Sequence, residues 1–262
     1  MSTVKAINLQ HPTSTNVNVT LASSGNIGVG NTNPNVKMVV DGPATGGAPI
    51  VQINATSIDS GTFQWLTYAQ APLANGQNYV HIFGKALSQY NCGYIGYKHA
   101  GDNLSTNSVT LGMYAADNLL NVYGNGCVTK PNQPMFSVRK SDGGATYTGV
   151  FIGNVVDVNV GSYYNTSNGR FTAPVAGTYS FSVFALFSSG GTDTGQSFVF
   201  YKNGAATGVI PYTRSTGAQY TQCGGTCMFT LAAGDYVQVL TDGGTWYATG
   251  AMHNCFSGHL VG

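Results

Sequence analysis

One stretch, residues 154–187 (NVVDVNVGSYYNTSNGRFTAPVAGTYSFSVFALF), constrains the fold of this 262-residue chain more than any other. Val156, Val158 and Val160 alternate with their neighbours at the period of a half-buried strand. Residues 165–169 supply turn chemistry, with Asn, Ser and Gly side by side. After a break at Pro174 and Gly177, a long strand begins at Thr178. Tyr179, Phe181, Val183, Ala185 and Phe187 share one of its faces. On the other face Ser180 and Ser182 give way to Phe184 and Leu186. A strand that turns apolar on both faces is covered on both sides. One side needs the molecule's own core; the other is covered most simply by a second copy. Tyr179, Phe184 and Leu186 are the candidate contacts between copies.

Composition extends this pattern to the whole chain. Charged residues are 7%, and all nine acids are Asp, so the usual fillers of exposed helix faces are scarce. With 36 Gly and 11% aromatics, short strands and polar turns are expected, an all-β class. A net charge of +1 gives no field for nucleic acid or an anionic membrane, and no apolar run approaches a membrane span. So few charges suit a protein that lives inside an assembly. The opening MSTVKAINLQ has no apolar leader core, and five scattered Cys are too few for a disulfide scaffold. Synthesis in a reducing cytoplasm is expected.

Three segments follow along the chain. Residues 1–45 are polar and carry GNIGVG from Gly25, without a third Gly at the right spacing and without the Lys-Ser/Thr or helix of a phosphate loop. So small an apolar content orders only on other chains, so this segment is expected to anchor the protein. GPATGGAP, at 42–49, reads as a linker. Residues 46–129 hold short apolar runs (IVQIN, FQWLTYA, YVHIFGKA, CGYIGYKHA, SVTLGMYA, LLNVYG) spaced as in a β-sandwich. A stiff connector, KPNQP from Lys130, opens the last segment, 130–262.

That last segment resembles the globular heads of the complement C1q and tumour-necrosis-factor superfamily. The shared pattern is Asn159, Tyr164-Asn165, Gly169-Arg170-Phe171, Pro174 through Phe181, Asn203-Gly204, Gly234 through Val237 and Phe256 through Leu260. The resemblance implies a jelly roll that assembles as a trimer. Ala173 stands where the family often has Cys, and no collagen-like Gly-x-y stalk is present. Residues 25–42 resemble an element of trimeric bacteriophage tail fibres, and the run from Trp65 to Leu119 resembles a module recurrent in such fibres. The opening Lys5 to Pro12 is similar to the start of structural proteins from phages of aquatic bacteria.

Candidate chemistry is sparse. A glycan-cleaving site needs paired carboxylates, and nearly all the Asp lie in turn-like sequence, so no enzyme and no cofactor are expected. Cys223, Cys227, His253 and Cys255 are weak zinc-ligand candidates, assembled only if their strands are neighbours. A disulfide from Cys223 to Cys227 or Cys255 is the alternative. The resemblance also implies that Asp193 or Asp242 could serve a calcium site. His81 and His99 have no accompanying ligand or triad pattern. Tyr212, Arg214, Trp246 and Tyr247 fall in predicted loops, where aromatics stack on sugars; packing in the core or between copies is the alternative for Trp246 and Tyr247.

The expectation is therefore a homotrimeric phage fibre or spike on the virion surface. Residues 1–45 would grip other virion proteins, and the jelly roll would meet a host-surface glycan. A capsid decoration protein, a host-encoded C1q-like adhesin and a polysaccharide depolymerase are the rival expectations.

Overall fold

The computed structural model describes residues 8–9, 18–35, 37–40, 73–143, 146–188, 191–248, 250 and 252–262. The chain divides into two compact units, Met1–Gln70 and Ala71–Gly262. Strands dominate: among the described residues the only helical turn is Val160–Ser162.

In the first unit β1 (Asn8–Leu9), β2 (Val19–Leu21), β3 (Ile27–Val29) and β4 (Met38–Val40) form a sheet in that order. Gly28 is needed in β3, because a Cβ there would lie 2.1 Å from the Asn31 carbonyl oxygen. Leu21, Ile27, Val29 and Met38 stay exposed, so these short strands bury little apolar surface. The expected linker at 42–49 and the expected strands over 50–69 lie outside the described residues.

The second unit opens with an antiparallel meander: β5 (Asn78–Gly84), β6 (Cys92–Lys98), β7 (Ser108–Met113), β8 (Ala116–Tyr123) and β9 (Val128–Thr129). On one face the Tyr94 ring lies across β7 at Gly112, where a Cβ would sit 2.3 Å from the ring. The Tyr94 hydroxyl donates to Asp117 at 2.6 Å, and Cys92, Thr110 and Asn121 are buried beside it. Where a sandwich was expected, the described residues supply a single layer, and its other face stays exposed. The connector is fastened as well as stiff. Gln133 Nε2 donates to the Leu260 carbonyl at 2.5 Å, and the Leu260 N–H donates to the Pro134 carbonyl at 3.0 Å.

The remaining strands build a two-layer jelly roll. They are β10 (Met135–Arg139), β11 (Thr146–Tyr147), β12 (Val155–Asn159), β13 (Tyr164–Asn165), β14 (Arg170–Thr172), β15 (Gly177–Ser188) and β16 (Gly195–Lys202), then β17 (Ala205–Ala206), β18 (Tyr212–Arg214), β19 (Tyr220–Leu231), β20 (Tyr236–Thr241), β21 (Thr245–Tyr247) and β22 (Asn254–Leu260). One sheet runs β11-β21-β15-β22-β10-β12, with β19 on the free edge of β15; the other runs β13-β14-β20-β16-β17, with β18 beside β16.

The core lies between these sheets. Tyr179, Phe181, Val183, Ala185 and Phe187 all point into it, as the alternation of β15 predicts. Tyr179 therefore leaves the set of candidate contacts between copies: it is fully buried, and its hydroxyl donates to the Val175 carbonyl at 2.9 Å. Phe136 stacks on Tyr164 and on Phe171, each at 5.0 Å, and meets Phe256 edge-on at 4.9 Å. Each such ring contributes roughly 1.5–3 kcal/mol by burial.

The short motifs acquire physical reasons here. Asn159 clamps the Tyr164 backbone from both sides, accepting from its N–H at 3.0 Å and donating to its carbonyl at 2.9 Å. Burial pushes the Tyr164 hydroxyl up to about 12, and that oxygen accepts from the Gly153 N–H at 2.9 Å. Asn203 and Gly204 both take positive φ, 50° and 81°, as a two-residue hairpin turn requires. Asn203 Nδ2 donates to Asp235 at 2.8 Å and Lys202 pairs with it at 3.0 Å, so two motifs distant in sequence form one corner. With the Ala232 N–H, these donors hold the Asp235 carboxyl down at about 2; the Asn203 amide acts most strongly.

Candidate functional site

The face of the larger sheet that points away from the core is built from alternate residues of its strands. Across it, the register sets Thr226, Ser182 and Ser257 side by side, with Ser137 and Val158 continuing the row. Ser182 and Thr226 share a hydrogen bond of 2.7 Å, and Ser137 meets Cys255 at 3.6 Å. Small side chains here let another sheet approach to the usual packing distance of ~10 Å.

Apolar groups flank this polar strip. Phe184 is 39% exposed and Met228 63%. Gly224 lies opposite Phe184, and a Cβ there would meet the Phe184 Cβ at 2.7 Å, so the glycine leaves the ring's flank open. Leu186 pairs with Tyr247, whose ring lies 5.4 Å from that of Tyr220. Val156 and Val158 are exposed on edge strand β12 rather than half-buried, and Val158 lies opposite the outward-facing Ser137. The pair Arg139–Asp157 is neutralised by two hydrogen bonds of 2.7 and 2.5 Å. The face is thus flat, apolar at intervals and nearly free of unpaired charge.

The sequence-derived candidates separate into three places. Phe184, Leu186 and Tyr247 share this outward face. Tyr212 and Arg214 lie on β18 beside the start of β16, with Tyr212 63% exposed. Arg214 grips Asp193 with two hydrogen bonds, 2.9 and 3.1 Å. The guanidinium keeps the Asp193 carboxyl below its usual range. Trp246 is in neither place. It is 1% exposed, pairs with Phe187 and stacks on Phe151 at 4.8 Å, so it is a core residue and cannot touch a receptor.

The zinc geometry is also corrected. The cysteine strands are not neighbours: β15 runs between β19 and β22. Cys223 and Cys227 pair with Ala185 and Phe181 on the core side, whereas Cys255 pairs with Phe184 on the outward side. The sheet separates the two halves of the ligand set, and all five cysteines are free. Burial pushes the Cys227 thiol up to about 12, so it stays protonated. Cys223 donates to the Pro211 carbonyl at 3.3 Å, which fastens the approach to β18. Asp193 spends both oxygens on Arg214, and no three His, Cys or Asp side chains converge on a metal position among the described residues.

Two further carboxylates have partners of their own. Asp102 lies 3.3 Å from His99, and Asp142 pairs with Lys140 at 2.7 Å and accepts from Tyr147. His81 packs edge-on to Tyr79 at 5.2 Å. Tyr220 and Met228 on the outward face are residues the sequence reasoning missed, and Asp193, named there only for calcium, is the partner of Arg214. The strand period from Tyr220 to Met228 carried the signal for the first two.

Residues 135–261 match the family model for the C1q domain. Solved structures similar to the chain include the globular domain of zebrafish complement 1qA protein, at 19% identity and TM-score 0.39, covering 50% of this chain and 98% of that one. Murine APRIL at pH 5.0 follows at 12% and 0.40, covering 49% and 99%. Eiger TNF from S. frugiperda aligns at 12% and 0.41, covering 50% and 94%. No curated protein matches the chain. Residues 135–261 are therefore a C1q-like domain.

Proposed function

We propose that this chain, with its C1q-like head, is a non-enzymatic homotrimeric attachment protein of a bacteriophage particle. The observation that carries the assembly is the outward face of the larger sheet. Phe184, Met228 and Leu186 around a strip of small polar side chains make a poor solvent surface and a good contact for another copy. Three copies around one axis cover the apolar groups that the core leaves outside. In this arrangement residues 1–45 dock on other virion proteins, and the phage resemblance of residues 25–42 supports that role. Residues 46–129 space the head from them. The protein is made in the bacterial cytoplasm and acts on the virion surface.

Recognition falls to β18. An exposed Tyr212 ring beside the Arg214–Asp193 pair offers an apolar face and fixed polar groups, the combination that holds a sugar ring. Three weak sites on one trimer gain affinity through geometry. The test is retention of the purified chain on host envelopes. Tyr212→Ala with Arg214→Ala is expected to lower retention at least ten-fold at unchanged Tm. Equal retention would remove β18 from recognition, and release of reducing sugar from the envelope would contradict the non-enzymatic reading.

A further inference from the structure

One cation of the head stands apart. Residues 135–262 contain five lysines and arginines. Four are paired: Arg139 with Asp157, Lys140 with Asp142, Lys202 with Asp235 and Arg214 with Asp193. Arg170, on β14, has no carboxylate partner among the described residues. Phe171 points into the core, so its neighbour Arg170 takes the opposite, outer face of the smaller sheet. There its guanidinium lies over the Tyr236 ring, with Cζ 4.1 Å from the centroid. Nε is buried without an acceptor, whereas the two terminal nitrogens reach the surface, equally without one. Asn165 lies directly across the hairpin from Arg170, and Thr172, two residues on, pairs with Tyr236. Both are exposed on the same face. The Ser167 N–H occupies the Asn165 side-chain oxygen at 2.8 Å, which leaves the amide nitrogen to donate.

We propose that Arg170, on its Tyr236 platform, binds the carboxylate of an acidic sugar, with Asn165 and Thr172 beside it for the sugar's hydroxyls. This rests on the reading of the head as a glycan binder, but not on β18 or on the trimer. The ring holds the guanidinium in one plane by cation–π attraction and takes it part of the way out of water. A fixed, weakly hydrated fork loses little freedom when it gains an acceptor. The burial of Nε closes the side of the fork, so the anion meets its end, between the two terminal nitrogens.

Three observations select the ligand. Every other cation of the head is already neutralised, so one guanidinium meets one negative charge, which suits a carboxylate better than a doubly charged phosphate ester. The end of a planar fork matches a planar carboxylate through two parallel N–H···O bonds. The chain itself supplies almost no carboxylate for the purpose. Among the described residues Asp102, Asp117, Asp142, Asp157, Asp193 and Asp235 all have partners of their own, and Asp242 alone is left. The acceptor therefore comes from outside, and the neutral donors and hydroxyl around Arg170 suit a sugar that carries it.

The test is retention of the purified full chain on immobilised polygalacturonate, a polymer of uronic acid, beside its methyl ester, which masks the carboxylates and keeps the sugar. The wild type is expected to be retained at least ten-fold more strongly on the acid than on the ester. Arg170→Gln should abolish that difference at unchanged Tm. Arg170→Lys, which keeps the charge but not the fork, should recover little of it. Tyr212→Ala with Arg214→Ala should leave it intact, so the two sites report separately. Equal retention of the wild type on acid and ester would overturn the inference, and this comparison needs no variant to fold. Full retention by Arg170→Lys would also overturn it, as would dextran sulfate competing as well as soluble polygalacturonate at equal charge, since either means unspecific attraction. A chain that holds to host envelopes but not to polygalacturonate would strike this site and leave the head as a binder.

Discussion

Gly258→Ala puts a single methyl group against the centre of the head. Its Cβ would lie 2.6 Å from Phe181 Cδ1 and 2.8 Å from Phe136 Cε1, where carbon atoms settle at about 3.5–4.0 Å. Both rings must move by about 1 Å. Neither has room. Phe136 is stacked on Tyr164 and Phe171 at 5.0 Å each, and Phe181 is fully buried against Phe171 at 5.6 Å. Overpacking of this kind costs about 1–3 kcal/mol, and two trapped rings place it near the top of that range. Replacing Gly by Ala in a strand returns roughly 0.5–1 kcal/mol of backbone entropy. The net loss is about 2 kcal/mol, which for a unit of this size lowers Tm by about 4–8 °C. Calorimetry at one fixed protein concentration reads it, since Tm of an associating protein depends on concentration. Gly262→Ala, with nothing within 4 Å, is the neutral control. Phe181→Leu in the same chain should shrink the cost of the methyl group, a coupling that a double-mutant cycle reports. An unchanged or higher Tm for Gly258→Ala would refute the packing argument.

Four further outcomes follow from the same contacts. Because the folded Asp235 carboxyl titrates at about 2, below the ordinary ~3.9, its corner is fully stabilising above about pH 4 and loses that contribution as pH falls to about 2; Tm against pH should show this limb, and Asp235→Asn should flatten it. Trp246→Ala should cost about 3–5 kcal/mol, whereas Trp246→Phe, which removes a buried indole N–H without a partner, should cost far less and leave host retention intact; lost retention in the folded Phe variant would restore Trp246 as a receptor contact. Gln196 is fully buried with both amide atoms unpaired, and since each orphaned group costs about 1–3 kcal/mol, Gln196→Met should raise Tm; a fall would mean that the amide is satisfied in solution. A strong chelator should leave the head's Tm unchanged, and a drop would reveal a metal that the separated cysteines do not bind.

Much of the head was legible because its rules are local. β15 alternates without interruption from Tyr179 to Phe187, so the period alone assigns its core face. The Asn203-Gly204 turn needs φ values that few other residues tolerate. What escaped depends on which strands become neighbours. Nothing near Cys223 or Cys255 shows that β15 will run between them and set their thiols on opposite sides of the sheet. Trp246 follows two glycines on a three-residue strand, too short for alternation to fix its face, and only its pairing with Phe187 sends it inward. Arg214 and Asp193 meet across 21 residues through the β16–β18 pairing. In the middle module the alternation of β6 and β7 was readable, but a strand pattern says which residues share a face, not what comes to cover it.

The central claim is self-association through the outward face of the head. Sedimentation equilibrium of the purified chain tests it most directly, beside Phe184→Asp, which sets a carboxylate into every contact. The account predicts a particle of three times the 27.3 kDa chain mass, and a monomer–trimer midpoint that Phe184→Asp moves at least ten-fold higher in concentration. A wild-type monomer at tens of micromolar, or a midpoint indifferent to the carboxylate, would contradict it.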